Sequence, residues 1–250
     1  MQVSRSRGIL AVDDATLDKP YAHEIELVHR QWSGKHHRVV QGINLVTLLW
    51  SDGDRHVPVD WRVYDKPHDH ATKNDHFGAM TDTAHARGFT PECVVFDGWY
   101  ASLENLKKVR AHQWIWLTRF KSNRLVNPDD TGNRPLASID IPEQGRIVHL
   151  KGYGFVKVFK RAAPDGDMEY WASNGLEMNE LQRLKYAQSG NTIEQYHRGI
   201  KQFCGIERCQ LRGARAQRNH IGLALRAFLR IESHCFHAGI SWFTAKVQII

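Results

Sequence analysis

Two short apolar runs that each end in an acid constrain the fold of this chain most. The run GILAV at 8–12 leads into Asp13 and Asp14, and the run ECVVF at 92–96 leads into Asp97. A short apolar run bounded by polar residues is typical of a buried strand. Because such strands can lie side by side in one sheet, the acids at their carboxyl ends can converge at one edge of it.

The segments around these two runs predict the remaining elements of an α/β fold. Residues 17–37 are polar and irregular. Two β-rich segments flank the turn sequence SDGD and predict a hairpin, while two other segments lack β-branched runs and predict helices, the second with Ser102 as N-cap. The hairpin strands are 38–50 and 55–64, the helices are 71–87 and 102–112, and a further strand is 113–120.

The second half of the chain changes in character. Residues 121–180 contain several prolines and glycines and short alternating runs such as GRIVHLKGYGFVKVFKR, which predict a β-rich insertion. Residues 181–204 and most of 214–238 return to helical spacing. We therefore expect a core formed by residues 1–120 and completed by helices in 181–250, with the insertion at 121–180.

The distribution of charge indicates a polyanionic partner. The net charge is +7, yet residues 1–100 carry 11 Lys and Arg against 14 Asp and Glu, whereas residues 181–230 carry 10 against only Glu194 and Glu207. Such a basic block favours nucleic acid, and a solvated helix face is the alternative. No apolar run is long enough to span a membrane, and the four cysteines form no CxxC pair, so we expect a cytoplasmic protein with reduced thiols.

Three acids stand at positions where they could share one chemical task. Asp14 and Asp97 end predicted strands, and Glu194 opens a late helix. Converging carboxylates repel one another unless divalent cations lie between them. Each acid also has a simple structural explanation: a turn at Asp13 and Asp14, a turn after Asp97, or an i,i+4 ion pair between Glu194 and Arg198.

Three local sequences resemble the acid motifs of DDE transposases from bacterial insertion sequences. They are LAVDDATLDK, VVFDGWYAS and TIEQYHRGIKQFCGIERCQLR. The resemblance implies an α/β fold with a ribonuclease-H-like mixed sheet flanked by helices, and a β-rich insertion before the last catalytic helix. It also implies metal-dependent cleavage of phosphodiester bonds at transposon ends, followed by strand transfer to target DNA.

The same resemblance implies roles for particular residues. Asp14, Asp97 and Glu194 would be the catalytic ligands of two Mg²⁺ ions, for which Mn²⁺ can substitute, with Asp97 bridging both. Asp13 is the alternative to Asp14, because adjacent residues of a strand face opposite sides of the sheet.

Double-stranded DNA would be the partner, bound by a homodimer in the bacterial nucleoid. The residues expected to contact DNA are Arg119, Lys121, Arg198, Lys201, Arg208 and Arg212. Trp171 could stack on an unpaired base, although core packing is the stronger expectation.

The sequence departs from the family pattern in two ways. Gly190 and Ala187 stand where the family usually has an arginine and a tyrosine. Because the first predicted strand begins by Gly8, we also expect no helical DNA-binding region before it, whereas the family usually has one. These departures keep a non-catalytic DNA-binding protein open as an alternative, beside a general nuclease. A zinc site would need the cluster His68, Asp69, His70, Asp75 and His76, whose spacing is more typical of surface histidines.

Overall fold

A computed structural model describes residues 5–33, 37–163 and 166–249, and all structural statements below concern these residues. The strands are β1 (Ile9–Asp18), β2 (His29–Ser33), β3 (Arg38–Ser51), β4 (His56–Tyr64), β5 (Cys93–Phe96), β6 (Trp116–Phe120), β7 (Leu125–Val126), β8 (Arg134–Pro135), β9 (Arg146–Leu150), β10 (Gly154–Ala162) and β11 (Met168–Ser173). The α-helices are α1 (Lys66–Asp69), α2 (Lys73–Ala86), α3 (Leu103–Ala111), α4 (Glu180–Gly190), α5 (Thr192–Gln202), α6 (Ala214–Ala238) and α7 (Trp242–Ile249).

Nine of the strands form one mixed sheet. Their order is β2-β3-β1-β5-β6-β11-β10-β9, with β4 also paired to β3. The pairs β1–β5 and β5–β6 are parallel, and the other pairs in this sheet are antiparallel. The carboxyl ends of β1, β5 and β6 therefore lie at the same edge. The predicted α/β fold with a mixed sheet flanked by helices is confirmed.

Most predicted elements are present, and two differ in extent. The hairpin of β3 and β4 is confirmed, with a register shift between Leu48 and Leu49. β1 was expected to end at Val12, but it continues through both aspartates to Asp18, because β3 pairs along its whole length. The stretch 17–37 was expected to be irregular and instead contains β2, while its residues 34–36 lie outside the described part.

Alternation along β1 divides the molecule into two cores. Leu10 and Val12 pack on one face of the sheet in a cluster with residues of α2 and α3. Ile9 and Ala11 pack on the other face with residues of α4, α5 and α6. Because the pleat has a period of two, Asp14 lies on the face of Leu10 and Val12, the first face, and Asp13 lies on the face of Ile9 and Ala11, the second face.

The segment 121–180 extends the sheet. β11 pairs with β6, and β10 and β9 follow outward, while β7 and β8 form a separate two-stranded sheet. The expected β-rich character is therefore confirmed. The division of the chain at residues 120 and 180 stays a prediction, since the hydrogen-bonded sheet continues across the first boundary.

The helices that complete the chain pack on the second face. The predicted helix at 181–204 is divided into α4 and α5 at Gly190 and Asn191, and α4 begins with a capping box between Asn179 and Gln182. No helix in the described ranges is long and apolar enough to cross a membrane.

Candidate active site

Asp13 and Asp97 follow paired residues on two parallel strands. Val12 of β1 pairs with Phe96 of β5, so the next residue on each strand is an aspartate. Neighbouring strands lie about 4.8 Å apart. Both aspartates line a small recess of about 70 Å³, and Glu194 lines it as well. The structure thus brings together acids from β1, from the end of β5 and from α5.

The start of α5 carries Glu194 to this edge of the sheet. Glu194 lies in the first turn of the helix, where the dipole favours negative charge, while Ile193, Tyr196 and Ile200 are buried on the second face. Before it, a Cβ atom on Gly190 would lie 2.6 Å from Val95 Cγ1. The close approach of the end of α4 to β5 therefore leaves no room for the arginine that the resemblance implies at Gly190.

Asp13 holds its proton unusually strongly. Its pKa is raised to about 7, first because burial penalises the charged form and then because Asp14 lies next to it. The charges of Asp97 and Glu194 raise the pKa further. A carboxyl group surrounded by three others is a position where a cation would be stabilised.

Asp14 occupies a different environment on the opposite face of the sheet. Its carboxylate accepts hydrogen bonds from Asn44 Nδ2 (2.6 Å), Lys73 Nζ (2.8 Å) and the Tyr100 hydroxyl (2.9 Å). Burial acts to raise its pKa, but the Lys73 charge and these donors outweigh it and hold the pKa below its ordinary value. Asp14 is therefore an ionised group already neutralised by protein side chains.

Asp97 is more exposed than either aspartate of β1. It caps a short 3₁₀ turn, Gly98–Tyr100, by accepting from the Trp99 amide at 3.1 Å. Arg119 Nη2 lies 3.8 Å from its other oxygen, and Arg119 Nη1 pairs with Glu169 at 2.8 Å. The side chain of Asp97 is 53% exposed, so its carboxylate is accessible to a ligand.

His197 is a residue of this site that sequence reasoning missed. It lies one turn after Glu194, and its Nδ1 is 3.8 Å from Asp13 Oδ2. Burial, and then the Lys201 charge, lower the pKa of His197 to about 4, so the ring is neutral near pH 7. The Glu-x-x-His spacing, which puts both side chains on one helix face, was the available signal.

Asn44, Lys73 and Tyr100 were also missed. They lie on β3, on α2 and in the turn after β5, and they meet only at Asp14. No local pattern connects residues so distant in the chain.

A second, larger cavity of about 680 Å³ adjoins the acids. Asp13 and Glu194 line it at one end, together with Asp14 and His197. Its other lining residues come from the far half of β1, from β2, from α5 and from the segment after α5: Ala15, Thr16, Asp18, Trp32, Arg198, Lys201, Gln202 and Glu207. A cavity of this size accepts a ligand of small-molecule dimensions.

The basic residues expected to contact DNA fall into two groups. Lys121, Arg198 and Arg208 are exposed, and Arg198 lines the larger cavity. The other three already have partners within the protein. Arg119 pairs with Glu169, Arg212 pairs with Glu24, and Lys201 Nζ donates to the Thr16 carbonyl and pairs with Glu207. The DNA-binding roles stay predictions.

Trp171 forms part of the wall of the small recess. Its indole lies between the guanidinium groups of Arg119 (5.7 Å) and Arg183 (5.6 Å), and its Nε1 donates to Glu169. The ring also packs against the second core. Trp171 is therefore both a packing residue and a neighbour of the acids.

The donor set at the acid edge fits hard divalent cations, since it consists of carboxylate oxygens. Within the described ranges, however, no three His, Cys, Asp or Glu side chains are placed to hold a single ion. The acids would have to close around an ion, or share two ions in pairs. The histidine cluster at 68–76 has local partners instead: His68 binds Asp65 at 2.7 Å and His76 lies 3.5 Å from Asp69.

The fold and the acid edge together define the class of protein: a mixed α/β domain of the type found in transposase catalytic regions. The sequence then gives the family. The chain belongs to the DDE superfamily endonuclease family, which matches residues 2–146, more than half of its 250 residues. The matched region includes Asp13, Asp14 and Asp97 and ends before α5.

A solved structure with a similar fold is the cryo-EM structure of the piggyBac transposase synaptic complex with hairpin DNA. The TM-score is 0.60 at 12% sequence identity, and the alignment covers 94% of this chain and 49% of that chain. The likeness concerns the fold, and this chain spans about half the length of that transposase chain. Among curated protein sequences, none matches the chain.

Proposed function

We propose that this chain cleaves phosphodiester bonds of DNA in a reaction that depends on divalent cations, as the catalytic part of a transposase. The observation that carries the proposal is the meeting of Asp13, Asp97 and Glu194 at one recess. These carboxylates come from three separate elements, and the charges of Asp97 and Glu194 add to burial and to the charge of Asp14 in raising the pKa of Asp13 to about 7. Such mutual repulsion destabilises the fold and is relieved when cations bind.

The proposal takes Asp13, and not Asp14, as the first acid. Asp13 lies on the face of the sheet that α5 covers, so its carboxylate is near Glu194. Asp14 follows the other face of β1, and although it also lines the larger cavity, its carboxylate is neutralised by Lys73. A carboxylate with its own cation has little to gain from a metal ion.

Asp13, Asp97 and Glu194 would hold the cations, Mg²⁺ or Mn²⁺. Two such ions activate a water molecule and stabilise the leaving oxygen in phosphodiester hydrolysis. The protein itself would keep His197 neutral beside Asp13, and would place Arg119 and Arg198 where they can meet phosphate oxygens.

The substrate would be double-stranded DNA at the ends of a bacterial insertion sequence, and the released 3′-hydroxyl would attack target DNA at the same site. Membership of the DDE superfamily endonucleases supports DNA cleavage, and the similar fold of a transposase supports transfer. Because two DNA ends must be joined, a homodimer on DNA is part of the proposal.

One observation favours a second candidate, a DNA-binding protein that no longer cleaves. Gly190 is packed against Val95 where the family usually carries an arginine. In the described ranges, the acids also do not form a ready three-ligand site. On this alternative, the basic residues would still bind DNA, but the acids would have no catalytic role.

Cleavage of supercoiled plasmid DNA that carries the segments flanking the gene separates these candidates. The wild type should nick or cut the plasmid with Mg²⁺ or Mn²⁺ and not with EDTA, leaving 3′-hydroxyl ends. Asp13→Asn, Asp97→Asn and Glu194→Gln should each lose cleavage while DNA binding survives. Asp14→Asn is the matched control, because it removes the neighbouring charge from the same strand, and it is assayed well below its thermal midpoint so that it stays folded.

The outcomes are distinct. Binding without metal-dependent cleavage by the wild type would favour the second candidate. Cleavage that ignores the flanking segments would indicate a general nuclease. Cleavage by Asp13→Asn but not by Asp14→Asn would return the first acid to Asp14, the original expectation from the sequence.

A further inference from the structure

Trp32 is an exposed aromatic residue on the wall of the larger cavity. Its residue surface is 65% exposed, whereas Trp50, Trp114 and Trp116 are buried in the cores. Trp32 lies on β2, at the edge of the sheet, and its register partner Val39 is also 53% exposed. Because Trp32 is exposed and lines the cavity, its ring is available to a ligand held there.

Two arginines lie near this indole. Arg198 lines the same cavity from α5, and Arg30 lies outside the cavity lining but precedes Trp32 by two residues on the same face of β2. Both arginines are exposed and have no ion pair with another residue in the described ranges. Lys201, in contrast, is held by Glu207 at the floor of the cavity.

The other end of the same cavity is formed by Asp13 and Glu194. The cavity therefore joins the acids of the proposed reaction to the Trp32 ring and the Arg198 guanidinium group, with Arg30 beyond its lining on the same face of β2. Its volume of about 680 Å³ suits a ligand of small-molecule size and is too small for a base-paired duplex. A single nucleotide offers the matching chemistry, because every base has a face that stacks on aromatic rings and every phosphate pairs with arginine.

We infer that the part of the cavity between Trp32 and Arg198 is a nucleotide subsite. It binds one unpaired nucleotide of the cleaved strand, next to the phosphate that the acids act on. The base stacks on the Trp32 indole, and the adjoining phosphates face Arg198 and Arg30. The inference rests on the proposed function, since it concerns DNA at the same site, and it goes beyond it by naming a base-binding surface on β2.

A binding measurement tests the subsite separately from cleavage. The probe is a short single-stranded oligonucleotide with a fluorescent 2-aminopurine base, compared with its blunt duplex, in Ca²⁺ at low ionic strength. The variants are Trp32→Ala and Trp32→Phe. The matched control is Phe243→Ala, which removes an aromatic ring that is 69% exposed on α7.

We expect Trp32→Ala to weaken single-strand binding by about five-fold or more, the equivalent of ~1 kcal/mol of base–aromatic stacking. Trp32→Phe should retain most of the affinity, and Phe243→Ala should leave it unchanged. The 2-aminopurine quenching seen with wild type should disappear in Trp32→Ala. Because Trp32 is exposed, the thermal midpoint should change little, which excludes a folding defect.

Three results would overturn the inference. Unchanged single-strand binding by Trp32→Ala would show that the indole does not contact the nucleotide. Equal losses for single strand and duplex, without a change in quenching, would indicate a groove contact and not stacking. Failure of wild type to bind either probe would refute the subsite as well. If wild type cleaves plasmid DNA in any of these cases, the proposed function stands without the subsite.

Discussion

Replacing the two adjacent aspartates of β1 by asparagine, one at a time, should shift stability in opposite directions. The substitutions are isosteric and lie on neighbouring residues, so they differ mainly in the surroundings of the lost charge. Asp14 is the acceptor for Asn44, Lys73 and Tyr100, while Asp13 lies among other acids. We expect Asp14→Asn to destabilise the fold and Asp13→Asn to stabilise it.

The magnitude for Asp14 follows from its partners. Hydrogen bonds to a charged group contribute about 1.5–3 kcal/mol each, and breaking a buried ion pair costs about 3–5 kcal/mol. These values are not additive, and the Asp14 and Lys73 side chains are each 21% exposed, which reduces them. A loss of about 2–4 kcal/mol is expected. For a chain of this size it lowers the thermal midpoint by roughly 4–16 °C.

The magnitude for Asp13 follows from its raised pKa. The pKa rises from an ordinary value of 3.8 to about 7, and each pKa unit corresponds to about 1.4 kcal/mol. Ionised Asp13 therefore destabilises the fold by at most about 4 kcal/mol. Since the side chain is 32% exposed, solvent screening reduces this to about 1–3 kcal/mol. Asp13→Asn should therefore raise the free energy of unfolding by about 1–3 kcal/mol at pH 8.

Urea and thermal unfolding of the three proteins at pH 8, with EDTA to remove divalent cations, measure both effects. Adding Mg²⁺ or Mn²⁺ should then stabilise the wild type and Asp14→Asn more than Asp13→Asn, because bound ligand adds to folding stability. The reasoning would be refuted if Asp13→Asn lowered stability as much as Asp14→Asn. That result would mean that the carboxylate of Asp13 is paired in the folded protein.

Three more predictions concern the same edge of the sheet. The stability gain from Asp13→Asn should be small at pH 4 and full at pH 8. The unfolded chain loses this proton near pH 3.8 and the folded chain near pH 7, so wild-type stability falls between these values, and a gain that does not change with pH would contradict this. Gly190→Ala should lower the free energy of unfolding by about 1–3 kcal/mol in urea titrations, because its Cβ atom would lie 2.6 Å from Val95 Cγ1. An unchanged urea midpoint would show that Val95 moves aside without cost. Arg198→Ala should weaken DNA binding in filter or anisotropy assays and reduce the slope of log affinity against log salt concentration by about one. Lys201→Ala should mainly lower the thermal midpoint, because Lys201 is bound to Glu207 and Thr16. The opposite result for the two variants would make Lys201 the phosphate contact.

The sequence by itself determined the local elements and the chemical type of the site. The β-rich segments 38–50 and 55–64 around the turn sequence SDGD predicted the hairpin of β3 and β4, and the short apolar runs predicted β1 and β5. These patterns work because strands covered on both faces of a sheet read as continuous apolar runs. The acids after the runs were visible for the same reason, since a buried strand that ends in an acid delivers it to the edge of the sheet.

Only the tertiary structure decided which of two adjacent aspartates faces the other acids. The pleat requires Asp13 and Asp14 to point to opposite faces, but it does not say which face α5 covers. The close packing of Gly190 against Val95 brings the helices that carry Glu194 to the face of Asp13, while Asp14 pairs with Lys73. The side chains of Trp32 and Arg198, far apart in the chain, share a cavity for the same reason. Long-range packing brings such residues together, and no local periodicity encodes it.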